Sequence, residues 1–284
     1  KDRFAAHTED ALVYGYQLPD RVQIEYLTVD PARILRRIGA PDDKVRDYFN
    51  DHRQRYVKPD PNAPSAAGGR RPMVRMEFDE AKAEAREDYR LERTIEIAQT
   101  LMNDIAADAS EPWRGAEKDE QGFVVAPAQA DSFAALAERF TERQPVTHVT
   151  TELLSQEELS QLAGIGEAGR TVKGKRLTVA ELAFQVQGLI DDPNAVSAPL
   201  SLMEPAELVF APSDDQRYPQ YQAYLFRVIA VAPKEPPPSW EAIRAQLTAD
   251  WKFKQAFELA GDAARQLADR AHEVGLDEAA QTAE

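Results

Sequence analysis

The chain has no cysteine among its 284 residues. Disulfides, thiolate zinc sites and cysteine nucleophiles are therefore excluded, and an oxidising compartment is compatible with the sequence without being required by it. Histidine is scarce as well. The four are His7, His52, His148 and His272, and no His-x-x-x-His pair is present to suggest a metal. Positive charge is in deficit, with 34 Lys and Arg against 49 Asp and Glu, a formal net charge of −15. That balance argues against sequence-independent nucleic-acid binding and against docking on an anionic membrane, both of which need clustered cations. No apolar run is long enough to span a bilayer, and no signal peptide is visible. The chain opens on Lys1 and not on Met, which leaves room for a signal or anchor upstream.

What is present is a soluble-protein composition, 43% hydrophobic and 29% charged, long enough for two domains and a sizeable core. The stretch from Pro72 to Ile105 organises the reading. Met73 to Phe78 alternates and predicts a short strand. Leu91, Ile95, Ala98, Leu101, Met102 and Ile105 then follow at helical spacing. A strand feeding a long amphipathic helix needs a sheet beneath it. Before it, Arg21 to Val29 alternates as a strand. Asp30-Pro31 starts a helix running to about Ile38, and a second helix from Asp42 or Asp43 shows an apolar face of Val45, Tyr48, Phe49, His52 and Tyr56. His52 reads as a packing residue on that face. Residues 58–71, rich in Pro and Gly, predict a flexible linker.

After Ile105, Trp113 and Phe123-Val124-Val125 anchor an irregular stretch, or 123–125 form a short strand. Ser132 to Phe140 is a short helix and Pro145 to Leu154 is β-rich. Ser155-Gln-Glu-Glu is a capping box, and Val179 to Val186 is a helix ended by Gly188. Ala198 to Phe210 and Tyr221 to Val231 read as the last β segments, joined as a hairpin with a long loop. Pro233 to Pro238 is a stiff spacer. Ser239 opens the longest helix, which reaches Val274 and stops at Gly275, with a short tail beyond.

Conventional catalytic patterns are weak. Gly164-Ile165-Gly166 and Gly169 lack the context of a phosphate loop and read as turn chemistry. Asp191-Asp192-Pro193-Asn194 lacks the ligand spacing of a calcium loop. His148 has threonines for neighbours and no Gly-x-Ser-x-Gly accompanies it. With so many acidic residues, paired carboxylates arise by chance on solvated faces.

The order strand, long helix, short helix, strand, short helix, hairpin resembles the parvulin-type peptidyl-prolyl isomerase domain. More widely, the chain resembles the SurA/PpiD-like group of bacterial envelope foldases. The segments that carry the likeness are Val45 to Tyr56 with Pro59, Val74 to Phe78 with Ala81 to Ala85, Phe133 to Ala137, Ala183-Phe184 with Gly188, Tyr224 to Val231, Pro236 to Trp251, and Gly275-Leu276. Active members carry a histidine in the first strand and another in the last. Here Met76 stands at the first position, and Tyr224 or Leu225 at the second, depending on a one-residue shift.

The resemblance implies an α+β fold, with a parvulin-like antiparallel-rich sheet, flanking helices and a helical chaperone-like module. The expected divisions are 1–57, a linker 58–71, a degenerate parvulin-like domain 72–232, a spacer 233–238 and a helix with tail 239–284. Residues 1–57 are expected to pack with the C-terminal helix, burying Trp251 on Tyr48 or Phe49. The strands at 73–78 and 222–230 are expected to be neighbours; separate sheets would reject the resemblance. With both histidines replaced, a non-catalytic chaperone or scaffold is implied, binding unfolded or extended polypeptide in a groove lined by Met76, Phe184, Tyr224 and Leu225. A divergent isomerase and a structural envelope component without a client are the alternatives. A filled core at those four residues is the competing structural reading. No cofactor, metal, nucleic acid or direct membrane contact is expected, and the implied location is the periplasm or cell envelope.

Overall fold

The computed structural model describes residues 5–6, 12–13, 16–64, 71–141, 146–212 and 222–275. Two compact units are formed, one of residues 19–233 and one of residues 1–18 with 234–284. The expected divisions at 57 and 72 are therefore not domain boundaries. The fold is α+β with an antiparallel sheet, flanking helices and a long C-terminal helix.

In the smaller unit, β1 (Ala5–Ala6) pairs antiparallel with β2 (Leu12–Val13), and Leu18 bridges to Glu235.

The larger unit begins with β3 (Arg21–Val29), whose alternating residues reach opposite faces. Asp30 then caps α1 (Pro31–Leu35) by accepting from the Ala32 N–H, as the Asp-Pro order predicts. Next, α2 (Asp42–Asp51) buries Val45, Tyr48 and Phe49. His52 lies at its C-terminus, its Nδ1 2.9 Å from the Tyr48 carbonyl and its ring 4.3 Å from the Tyr48 ring, a packing role as expected.

The expected linker and strand are both revised. β4 (Val57–Pro59) pairs with β5 (Met73–Arg75) in a separate two-stranded ribbon, so the linker's first residues hold regular structure. The strand stops at Arg75 because a capping box wins the next residues. The Glu77 side chain accepts from the third helical amide and Glu80 reaches back to Glu77, placing Phe78 in the first turn of α3 (Phe78–Ser110). Ala81 and Ala85, early in α3, pack on Val45, Tyr48, Phe49 and Tyr56 of the α2 region. Ala98, Leu101, Met102 and Ile105, further along, lie on the sheet.

Trp113 and Phe123 are buried and anchor the irregular stretch, with only an isolated bridge at Val124. α4 (Phe133–Thr141) buries Phe133, Leu136, Ala137 and Phe140. β6 (Val146–Thr150) and β7 (Leu154–Ser155) follow, and the Ser155 capping box opens α5 (Gln156–Ser160). A hairpin of β8 (Gly169–Val172) and β9 (Lys175–Thr178) was not expected. Its two-residue turn has positive φ at both Lys173 (49°) and Gly174 (83°), the conformation that a tight hairpin requires. α6 (Val179–Ala183) has its own capping box at Thr178 and Glu181. The β segment expected from 198 contracts to β10 (Val209–Phe210); part of the loop expected after it lies outside the described residues. β11 (Ala223–Ala232) ends the unit.

The main sheet runs β6-β3-β11-β10-β8-β9, with β7 also on β3 and every pairing antiparallel. Its axis is β3 against β11, registered from Arg21↔Ala232 to Thr28↔Tyr224 with one irregularity between Val228 and Ala230. The expected neighbours 73–78 and 222–230 are thus in separate sheets, and the parvulin resemblance is rejected on that ground. β5 is three residues long and half exposed, too short for a central strand, whereas β3 is buried on both faces.

In the smaller unit a turn at Glu241–Ile243 leads into α7 (Arg244–Val274), ended by Gly275 at φ 93°. Within the larger unit the apolar side of α2 is covered by α3 and Tyr56. The tail expected at 277–284 lies outside the described residues.

The sheet's axis makes a contrast measurable. Leu27, fully buried in β3, should cost about 2–5 kcal/mol on Leu27→Ala in urea unfolding. Met73, 56% exposed in β5, should shift stability by less than about 0.5 kcal/mol on Met73→Ala. Comparable losses would contradict the assignment of β3 as the central strand.

Candidate functional site

The four residues expected to share a groove are dispersed. Met76 packs beside Phe78 against the α2–α3 cluster. Tyr224 and Leu225 are neighbours on β11 and so point to opposite faces. Tyr224, 4% exposed, joins the core beneath α5 and α6, and Leu225, fully buried, joins the core beneath α3 and α4. Phe184 packs on the Tyr224 side. Only Phe184 and Tyr224 therefore share a face. Their side is filled, which is the competing core reading.

What the sheet does bring together on that face is Tyr26 of β3 and Tyr224 of β11. Their rings meet edge to face with centroids 5.9 Å apart. Gly164, at φ +77°, lies directly against the pair: a Cβ there would stand 2.4 Å from the Tyr224 hydroxyl oxygen. Gly166 and Gly169 are equally tight, a Cβ at each meeting backbone carbonyls at 2.5 and 2.3 Å. The glycine cluster is thus a close-packed turn over the tyrosines, as its turn chemistry suggests. Burial pushes the Tyr224 hydroxyl up to about 12, with Tyr26 adding to the effect, and burial raises Tyr26 as well. Both phenols are therefore protonated at neutral pH. They can donate hydrogen bonds but cannot serve as bases.

The opposite face carries a buried ion network across three adjacent strands. Arg227 of β11 donates from Nε to Glu25 Oε1 of β3 at 2.6 Å, and the other Glu25 oxygen lies 2.7 Å from His148 Nε2 of β6. Arg227 is 3% exposed, its guanidinium stacks 4.4 Å over Phe133, and its Nη1 reaches the carbonyls of Asp131 and Met203 at 3.4 Å. The partner of His148 is thus a carboxylate held by an arginine, not a serine. No nucleophile is built at this site. Among the described residues no group of three or more His, Asp or Glu is placed to hold a metal.

An open concavity lies elsewhere. A cavity of about 410 Å³ is lined by Asn103, Ala106 and Ala107 of α3 and by Pro205, Leu208 and Phe210. A smaller pocket at Met102 and Ala223 shares Asn103, Leu208 and Phe210 with it, extending the groove toward the sheet. This groove was not read from the sequence, since residues 100 positions apart form its walls. Arg227 did leave a signal, a lone charge inside the otherwise apolar run Ala223–Ala232, whereas Glu25 did not, since alternation groups it with Arg21 and Gln23 on the polar side of β3.

No family model, curated protein or solved structure matches the chain.

Two measurements follow from these contacts. Gly164→Ala should destabilise the chain by about 2–3 kcal/mol through the positive φ and the overlap with Tyr224, and Tyr224→Phe should restore part of it by removing the oxygen. Full additivity of the two would deny the contact. The ordinary tyrosine value is 10.0, so between pH 10.0 and about 12 the unfolded chain has lost a proton that folded Tyr224 keeps. Stability is whole below that window and declines through it as pH rises. Tyr224→Phe should accordingly flatten the alkaline decline seen by circular dichroism.

The ion network is tested separately. Glu25→Ala leaves Arg227 buried without its carboxylate and should cost about 3–5 kcal/mol, while Glu25→Leu combined with Arg227→Met should cost less than the single change. A double variant worse than the single one would count against desolvation as the cause.

Proposed function

We propose that this chain is a non-catalytic polypeptide-binding protein, a chaperone or scaffold. In its main sheet β3 and β11 are neighbours, and each presents a tyrosine to the same face. The observation that carries the reading is the Tyr26–Tyr224 ring pair, closed over by Gly164. Prolyl isomerisation needs a twisted amide to enter a pocket and be stabilised there. A face filled by two rings and a close-packed turn admits no amide. Phe184 packs on that same face.

Binding is assigned to the groove between α3 and residues 205–210. Its walls are apolar at Ala106, Leu208 and Phe210 and polar at Asn103, Ser110 and Glu207, a mixture suited to an extended segment with apolar side chains. Association with unfolded or extended polypeptide, and a periplasmic or envelope location, belong to this proposal.

The test uses the full chain in two assays. It should leave the cis-to-trans rate of a proline peptide at background. It should also slow aggregation of an unfolded client at near-stoichiometric ratio, and Asn103→Trp, an exposed change that obstructs the groove, should abolish that protection. Clear isomerase turnover would establish the divergent-enzyme alternative. Absence of both activities would leave a structural component without a client. Protection unchanged by Asn103→Trp would remove the groove from the proposal.

A further inference from the structure

A second cavity, of about 330 Å³, lies within the larger unit between residues 118–124 and 193–204. It shares no lining residue with the groove along α3. Both of its walls are held by bonds from outside it. The first wall is a tight antiparallel turn. The Asp119 N–H donates to the Phe123 carbonyl at 2.8 Å, Asp119 Oδ1 accepts from the Gln121 and Phe123 N–H groups, and Oδ2 accepts from Gln187 Nε2 at 2.7 Å. Lys118 and Val124 are cross-strand partners in this turn, so their side chains leave it on the same face, and both line the cavity. The second wall turns at Met203, whose φ of 69° is uncommon for any residue but glycine. Its N–H donates to the Val228 carbonyl at 2.8 Å and its carbonyl accepts from the buried Arg227. Those two bonds hold the strained turn and with it Ser201 and Glu204.

Three polar groups of this cavity have hydrogen-bonding capacity that the described residues do not use. Ser201 is 2% exposed and its Oγ accepts from the Val124 N–H at 2.8 Å, but its own O–H meets no acceptor among them. The Lys118 ammonium meets no carboxylate among them. Glu204 accepts from the Ser201 N–H at 3.0 Å with Oε2, and its Oε1 has no partner there. Lys118 and Glu204 thus put opposite charges on one cavity without pairing across it. The remaining walls include the Phe123 ring, Pro193 and Pro199. We propose that the cavity binds a free α-amino acid with an apolar, preferably aromatic, side chain. Lys118 and the Ser201 O–H receive its carboxylate, Glu204 Oε1 receives its ammonium, and the side chain packs on Phe123 and the two prolines. The volume suits a small molecule of this size. Only a free amino acid carries both charges on one carbon, since a peptide terminus offers one of them. The site is therefore independent of the polypeptide-binding proposal.

Equilibrium dialysis of the full chain against L-phenylalanine, 3-phenylpropanoate and phenethylamine separates the two charges. L-phenylalanine should bind at a single site. Phenylpropanoate, which lacks the ammonium, and phenethylamine, which lacks the carboxylate, should each bind about 10-fold or more weakly. Lys118→Gln should weaken L-phenylalanine by about 10-fold and remove its advantage over phenethylamine. Glu204→Gln should do the same for its advantage over phenylpropanoate. Neither variant should lower the melting temperature, because Lys118 is exposed and the new amide oxygen at 204 still accepts from the Ser201 N–H. No saturable binding of L-phenylalanine below about 10 mM would overturn the proposal. So would equal binding of all three compounds, or binding indifferent to both substitutions.

Discussion

The pairing of β3 with β11 is the constraint on which the larger unit depends. The two strands lie far apart in sequence, yet they share the longest register in the sheet, with apolar residues on both faces. Because both faces are buried, the sheet needs two covering layers, and the intervening chain supplies them. α3 and α4 close one face, and α5, α6 and their connecting turns close the other. A slip of one residue in β3 against β11 would turn every β3 side chain to the other face, separating Glu25 from Arg227 and Tyr26 from Tyr224.

The two faces of this axis solve different problems. On the tyrosine side, packing is so close that glycine is required at 164 to admit the Tyr224 hydroxyl. On the other, the charges of Glu25 and Arg227 are admitted to the interior because each neutralises the other and the guanidinium also has an aromatic ring and two carbonyls to meet. The open groove lies elsewhere, between α3 and residues 205–210.

Much of the fold was legible locally. Alternation identified β3 and β11. The Asp30-Pro31 and Ser155 caps, the apolar stripes of α2, α3 and α4, and the Gly275 stop all act within a few residues, and all are present. The errors also have local causes. Met73 to Phe78 alternates like a strand, but the Glu77–Glu80 capping box claims Phe78 for the helix. Lys173-Gly174 forms a tight turn without the Asn-Gly or Asp-Gly signature. The candidate site was less legible. Met76 follows the peripheral strand β5, whereas Tyr26, in the central strand, carries no local pattern that marks it.

Sequence by itself determined that β3 and β11 are strands and α2, α3 and α4 helices, where several helices begin, and that cysteine chemistry is excluded, because these follow from composition, spacing and bonds within a single turn. Only the tertiary structure decided that β3, not β5, lies beside β11, that Tyr26 meets Tyr224, and that Leu208 and Phe210 form one wall of a groove with α3. Strand pairing joins residues some 200 positions apart. Several alternating segments offer the same backbone hydrogen bonds, so no local pattern distinguishes them. The choice is made by which pairing buries both faces at once, and that is a property of the assembled layers.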